Sequence, residues 1–198
     1  MKPAALGFRV HSGWTALVAV TLEEGFPAPL LRDRPHLVRT FTFEFRQPYH
    51  TAKKKPPDEG RDFIARVRDQ AETLAAAAIQ AAQSNLQAQG YALDRCGLLT
   101  ASAKPLPELE RILASHALIH TADGELFREA LRSACSRLGL QTLAVKEKEL
   151  LERAGQALHV SADELAGRLA TLGRAHGSPW TQDEKFATLV ACLSLAKS

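Results

Sequence analysis

The chain has few cysteines and no long apolar run. Its three cysteines, Cys96, Cys135 and Cys192, are odd in number, widely spaced and set among apolar residues. This pattern favours buried thiols over a disulfide framework and predicts a cytoplasmic protein. The longest apolar runs, 14–22 and 74–82, are shorter than the ~20 residues that span a bilayer, and the first residues do not form a signal peptide. We therefore expect no membrane partner.

Neither sign of charge dominates the sequence. Lysine and arginine number 25 and aspartate and glutamate 22, a net charge of +3. This mild excess permits a polyanionic partner such as nucleic acid but does not require one. With 198 residues, of which 45% are hydrophobic, the chain should fold as a single domain, 1–198, whose core needs no disulfide.

Strands are predicted in the first quarter of the chain. Apolar segments 4–10 and 14–22 flank His11-Ser12-Gly13, which suits a tight hairpin turn. Alternation over 37–45 predicts a third strand whose aromatic residues share one face of the sheet: Phe41, Phe43 and Phe45. Segment 47–60 then predicts a loop that carries three consecutive lysines, with Tyr49 and His50 as possible base-stacking residues.

Helices and two further strands are predicted in the remainder. Strands are expected at 93–101 and 140–145, and helices at 61–89, 107–116, 123–138, 147–157, 162–172 and Gln182–Ala196. Two Ser/Thr-x-x-Glu capping boxes, at 161–164 and 181–184, mark the starts of the last two helices. The order predicts an α/β fold in which a three-strand meander is followed by parallel strands, with helices on both faces of the mixed sheet. This is the ribonuclease H-like arrangement.

Three segments carry a more specific resemblance. They are LGFRVHSGWTALVAV, with its Gly13-Trp14 turn, IHTADGELFREALRSACSRLGLQTLAV and WTQDEKFATLVACLSLA. These segments resemble the opening hairpin, the helix and strand after the fourth strand, and the closing helix of RuvC-type Holliday-junction resolvases. The order of strands and helices resembles that of the family over most of the chain, whereas recognisable sequence motifs cover a smaller part of it.

The resemblance implies two metal ions held by carboxylates from the first strand, the fourth strand and the closing helix, because Mg²⁺ prefers oxygen ligands. This chain has Arg9 at the first-strand position. The fourth strand ends in Thr100, Ala101 and Ser102, again without an acid. The closing helix alone keeps its acids, Asp183 and Glu184. Since the charge of Arg9 would repel Mg²⁺, ordinary two-metal cleavage is not expected.

The topology nevertheless predicts a polar site at one end of the sheet. It should gather His11, Ser12, His116, His120, Asp123, Glu125, Asp183, Glu184 and Lys185. The candidate catalytic residues are His11, His120, Glu125 and Asp183. The candidate phosphate-binding residues are Arg9, Lys53, Lys54, Lys55 and Lys185. Alternatively, Asp123 is a helix N-cap and Glu125 a first-turn acid.

His116 and His120 are the candidate metal ligands. Their i, i+4 spacing is that of a zinc-binding pair, and His11, Glu125 or Asp183 could complete the coordination. A divalent metal ion is the one cofactor that the sequence suggests. The alternative is that the two imidazoles cap a helix or fill a partly buried gap.

Three hypotheses of function follow. The first is a ribonuclease H-like protein that binds nucleic acid or another phosphate-containing ligand without standard cleavage. The second is a hydrolase of phosphate esters, a metal-dependent phosphoesterase or nuclease whose site has moved to histidine and glutamate residues. The third is a non-catalytic scaffold for protein interaction. None of the three fixes an oligomeric state.

Overall fold

A five-stranded mixed sheet forms the centre of the structure, a computed structural model that describes residues 1–101 and 105–196. The strands are β1 Lys2–His11, β2 Trp14–Glu23, β3 Phe26–Asp33, β4 Tyr91–Thr100 and β5 Gln141–Lys146. Their order is β3-β2-β1-β4-β5, with β1–β2 and β2–β3 antiparallel and β1–β4 and β4–β5 parallel. The prediction of a three-strand meander followed by parallel strands is confirmed.

Helices cover both faces of this sheet, as predicted. They are α1 Phe43–Arg46, α2 Pro48–Ala52, α3 Pro57–Ala88, α4 Leu109–Leu113, α5 His116–Arg137, α6 Leu150–Leu158, α7 Ala162–His176 and α8 Gln182–Ala196. Leu6 and Phe8 of β1 are buried on the face that α3 and α5 cover. Ala5 of β1, whose side chain points the other way, packs with Ala187 and Ala191 of α8. Because successive side chains of β1 point to opposite faces of the sheet, the core consists of two layers.

The prediction for the third strand is wrong in position. The strand lies at 26–33 and contains Pro27 and Pro29, whereas Phe43 begins the short helix α1. Proline is tolerated here because β3 is an edge strand, where a missing N–H removes no bond from the centre of a sheet. Phe41 and Phe43 are 41% and 55% exposed, so they do not line a buried sheet face.

Two predictions about helix starts are also corrected. The expected loop 47–60 contains α2 and the first turn of α3, each of which has proline in its first turn. The fifth helix begins at His116, after the N-cap Ser115, whose Oγ accepts the Leu118 N–H at 3.4 Å. Asp123 is therefore not an N-cap, and Glu125 is not a first-turn acid.

Other local predictions are confirmed. The Ser161 Oγ accepts the Glu164 N–H at 3.2 Å at the start of α7, and the carboxylate of Glu184 accepts the Thr181 N–H at 2.7 Å at the start of α8. The three cysteines are buried and free.

Ser102 of the predicted fourth-strand end lies outside the described residues. In the two described stretches, no helix is long and apolar enough to cross a bilayer.

Helix α8 approaches the sheet unusually closely at two glycines. A Cβ on Gly7 of β1 would lie 1.8 Å from the Ala187 carbonyl oxygen. On Gly97 of β4 it would lie 2.1 Å from the Val190 carbonyl oxygen. Neither backbone oxygen can move without shifting α8, so glycine is required at both positions. This contact fixes where the first turn of α8 meets the end of β1.

Gly97→Ala should therefore destabilise the protein by about 3 kcal/mol or more, because the added methyl group overlaps backbone. Urea unfolding followed by circular dichroism measures the change. Gly167→Ala on α7 is the control, since its Cβ meets nothing within 4 Å; it should add about 0.5 to 1 kcal/mol of helix stability. A Gly97→Ala protein as stable as wild type would contradict this account of the packing.

Candidate functional site

Arg9 lies at the centre of a charged cluster at the end of β1, on the face that α8 covers. Its Nε and Nη2 donate to the two carboxylate oxygens of Glu147 at 3.2 and 2.8 Å. Its Nη1 donates to Asp183 Oδ1 at 2.5 Å, and Phe186 of α8 packs against the guanidinium, 5.1 Å from the ring centroid. Arg9 is thus held by two acids and one aromatic ring.

Asp183 is shared among several donors. Besides Arg9, its Oδ1 lies 2.8 Å from His11 Nε2, and its Oδ2 lies 3.8 Å from Arg34 Nη2. The His11 ring stacks on Trp14 with centroids 4.4 Å apart, which fixes its orientation. We call Arg9, His11, Arg34, Glu147, Asp183 and Glu184 the strand-end cluster.

Glu184 is the fully buried acid of this cluster. Its carboxylate accepts Arg34 Nε at 2.6 Å, the Thr181 N–H at 2.7 Å and the Thr181 hydroxyl at 2.8 Å. Burial by itself would raise the pKa of Glu184, but the hydrogen bonds from Arg34 and Thr181 outweigh it and lower the pKa to about 2. Glu184 is therefore ionised and fully partnered, a structural role at the start of α8.

The strand-end cluster does not fit a pair of magnesium ions. The guanidinium of Arg9 lies between Glu147 and Asp183, where a cation would have to displace it. The last β1–β4 pair is Phe8–Leu98, and the next residue of β4 is Leu99, which is buried and packs with α8. A two-ion site needs several carboxylate oxygens free to coordinate. These acids instead neutralise arginines.

A second cluster lies on the opposite face of the sheet, where α2 packs against α5. It consists of His50 on α2 and His116 and His120 on α5, and we call it the histidine cluster. The Nε2 atoms of His116 and His120 are 3.0 Å apart, and one potential ligand atom from each of the three residues lies within 4.8 Å of the other two. The predicted pair is therefore joined by a third imidazole from another helix.

Asp123 is a buried acid that contacts the histidine cluster through His50. It is 2% exposed, its Oδ1 accepts the Tyr49 N–H at 2.7 Å, and its Oδ2 lies 2.5 Å from His50 Nδ1. Burial raises the pKa of Asp123 although the hydrogen bonds from His50 and Tyr49 act in the opposite direction. This carboxylate both anchors the first turn of α2 and orients the His50 ring.

Glu125 belongs to neither cluster. It forms ion pairs with Arg128 at 3.1 Å and Arg132 at 3.4 Å. It also lines an open cavity of about 740 Å³ beyond the ends of β4 and β5. Lys146 and Arg153 at this cavity are paired with Glu149, so its lining is largely self-neutralised.

The candidate phosphate-binding residues lie on two faces. Lys53 and Lys54 are exposed at the end of α2, and the Lys55 ammonium lies 5.2 Å from the Phe63 ring centroid. Lys185 lies on α8, on the other face. Arg9 is engaged by two acids and is 17% exposed, so it has little freedom to hold a phosphate.

The sequence predicts that all these residues meet at one end of the sheet. In the structure they lie instead in two groups on opposite faces. Of the candidate catalytic set, His11 and Asp183 are in contact, whereas His120 and Glu125 lie on α5, beneath the other face. His11, Glu125 and Asp183 do not complete the His116–His120 pair; His50 does. The early start of α5 is the reason, because it carries both histidines beside α2.

Sequence reasoning missed Arg34 and Glu147, and it singled out His50 only as a possible base-stacking residue. Glu147 directly follows β5, and polar residues at the ends of parallel strands are the signal that could have found it. No comparable signal exists for His50, which lies 66 residues before His116 and meets it through tertiary packing of two helices.

Arg34→Gln should lower the free energy of unfolding near pH 7 by about 2 to 3 kcal/mol, because Glu184 stays buried with its cation removed. The folded pKa of Glu184, about 2, lies below its unfolded value of about 4.3, so the contribution is complete above about pH 4.3 and is lost as pH falls towards 2. Urea unfolding between about pH 7 and pH 3 should show the two proteins converging.

Arg61→Gln is the matched control for that experiment. Arg61 of α3 pairs with Glu110 of α4 on the surface of the protein, with side chains 52% and 68% exposed. Its loss should change stability by less than about 0.5 kcal/mol. A stability difference between wild type and Arg34→Gln that is independent of pH would disprove the role given to Glu184.

Comparison with known proteins gives similarity in structure alone. No protein-family model matches the chain, and no curated protein matches its sequence. The structure of RuvC from Thermus thermophilus in complex with a Holliday junction substrate aligns with a TM-score of 0.53 and 11% sequence identity, over 98% of this chain and 92% of that one. A second structure of Thermus thermophilus RuvC aligns with a TM-score of 0.50 and 10% identity, over 98% of this chain and 93% of that one. The chain therefore has a RuvC-like, ribonuclease H-like α/β fold.

Proposed function

We propose that this protein binds nucleic acid through its phosphates and does not cut it by two-metal chemistry. The observation that carries the proposal is a surface on which two exposed phenylalanines lie near three exposed cations and the half-buried Lys55. We call it the basic–aromatic surface, and it consists of Arg39, Phe41, Phe43, Lys53, Lys54 and Lys55. Cations hold phosphates whatever the sequence, and aromatic rings stack on bases of any type.

Contacts along two helices connect the parts of this surface. The Phe43 ring lies 6.1 Å from the His50 ring on α2, and Lys53 follows directly at the C-terminal end of that helix. The Arg39 N–H donates to Gln70 Oε1 on α3 at 2.8 Å. Gln70 and Lys55 line the same small cavity. Arg39, Phe43 and the lysines therefore belong to one continuous region.

Positive charge is concentrated in this part of the chain. Residues 36–70 contain eight basic and five acidic residues, a net charge of +3 that equals that of the entire protein. Outside this segment, Arg9 and Arg34 provide no comparable excess of positive charge, because acids of the strand-end cluster neutralise them. A local excess of cations on an exposed surface is the electrostatic footprint of a nucleic-acid-binding protein.

The structural similarity suggests the first nucleic acid to test. One of the RuvC structures that align with this chain is described as a complex with a Holliday junction substrate. A four-way DNA junction is therefore the primary probe, with duplex and single-stranded DNA as comparisons. The exposed ring of Phe43 suits an unpaired base, so single-stranded DNA is the comparison that tests stacking.

Replacing Lys53, Lys54 and Lys55 together by glutamine should weaken junction binding and flatten its dependence on salt. Each phosphate that the protein no longer neutralises should reduce the slope of log K against log salt by about 0.9. Fluorescence anisotropy of a labelled junction over a range of salt concentrations measures both quantities. Phe43→Ala should weaken binding by about 1 to 3 kcal/mol per stacked base while leaving the slope unchanged.

The triple variant Lys148→Gln, Arg168→Gln and Arg174→Gln serves as the control, since it removes the same charge from α7 and the turn before α6. All three positions are exposed. An equal loss of affinity in this control would assign binding to net charge alone. A wild-type protein that does not retain DNA or RNA at low salt would disprove the proposal.

We expect wild-type protein with Mg²⁺ to leave the junction uncut. The physical reason is that Arg9 occupies the space between Glu147 and Asp183, so the carboxylates cannot clamp two ions. Denaturing electrophoresis of a labelled junction gives the answer. Mg²⁺-dependent cleavage that disappears in Asp183→Asn would show that the strand-end cluster is a working nuclease site.

A further inference from the structure

We propose that His50, His116 and His120 bind one divalent transition-metal ion of the zinc type. The proposal rests on the histidine cluster alone and does not depend on nucleic-acid binding. It changes the sequence-based hypothesis in one respect, because the third ligand comes from α2 and not from the strand-end cluster.

The positions of the ring nitrogens are close to those of a metal site. Ligand nitrogens of a tetrahedral zinc ion, with bonds of 2.0–2.1 Å, lie about 3.3 Å apart. The Nε2 atoms of His116 and His120 are 3.0 Å apart, so small rotations of the two rings would admit an ion. One ring nitrogen of His50 lies within 4.8 Å of a ring nitrogen of each of the other two histidines, within reach of a side-chain adjustment.

The rings also meet edge to face. Interplanar angles are 80° between His116 and His120, 64° between His50 and His120, and 87° between His50 and His116. Rings that meet in this way can direct nitrogens towards a shared point, whereas parallel stacked rings cannot. His116 and His120 achieve this from successive turns of one helix, the spacing of a helical zinc pair.

Asp123 gives His50 the hydrogen bond that metal-binding histidines usually have. With Nδ1 of His50 donating to the buried carboxylate, Nε2 is left as the nitrogen lone pair available to a metal ion. The same carboxylate accepts the Tyr49 N–H, so α2 is held on α5 before any ion arrives. The site is preformed on two fixed helices.

The donor set selects the type of ion and its coordination. Imidazole nitrogens suit zinc and neighbouring transition metals, whereas Mg²⁺ and Ca²⁺ require oxygen ligands. His116 begins α5, where the helix dipole disfavours a cation, and the carboxyl group of Asp123 lies on the other side of the cluster, in contact with His50. Because His116 and His120 are exposed, a fourth position remains open to water or another ligand.

Metal binding by untagged protein tests the proposal. The 198-residue chain, stripped with a chelator, should bind one Zn²⁺ per chain in a calorimetric titration, and Co²⁺ should give the visible absorption of a nitrogen-ligated site. Asp123→Asn should weaken Zn²⁺ binding about 10- to 100-fold. His120→Gln should weaken it more and abolish the Co²⁺ absorption, and circular dichroism verifies that each variant is folded.

His176→Gln is the matched control, since His176 is exposed at the end of α7, outside the histidine cluster. It should bind Zn²⁺ like wild type, as should the Lys53, Lys54 and Lys55 variant. Well under one ion per chain, or equal affinity in His120→Gln and His176→Gln, would overturn the proposal. These titrations contain no nucleic acid, so their failure is distinct from a failure of DNA binding.

Discussion

The close contact of α8 with β1 and β4 is the constraint on which the rest of this structure depends. Gly7 and Gly97 let the helix backbone approach the sheet to a distance that no side chain would permit. The contact buries the small residues Ala187 and Ala191 and sets the first turn of α8 against the end of β1. The first turn of α8 carries Asp183 and Glu184, which there form ion pairs with Arg9 and Arg34.

Arg9 shows how one residue changes the chemistry of a fold without changing the fold. The closest helix packing beneath it involves backbone and small apolar side chains, at Gly7, Ala187 and Ala191. The positive charge of Arg9 sets the role of the neighbouring acids, because Asp183 and Glu147 neutralise its guanidinium. Similarity to RuvC structures therefore describes the architecture, and function has to be argued from the residues at each site.

The two faces of the sheet have separate roles in this account. On the α8 face, the strand-end cluster is an ion-pair network whose charges are satisfied internally. On the other face, exposed lysines and phenylalanines lie near the histidine cluster, and Asp123 connects them by holding α2 on α5. A phosphate ligand and a metal ion would thus both be bound around α2, the short helix within a segment that looks like a loop in sequence.

The sequence by itself determined the features that depend on near neighbours: the β1–β2 hairpin, the buried thiols, the starts of α7 and α8, and the helical spacing of His116 and His120. Periodicity and capping act over a few residues, so they can be read directly. Tertiary structure decided that β3 is an edge strand that tolerates proline, that Asp123 anchors another helix, and that His50 completes the histidine cluster. Those outcomes depend on contacts between residues far apart in the chain, which packing of the whole sheet and its helices creates.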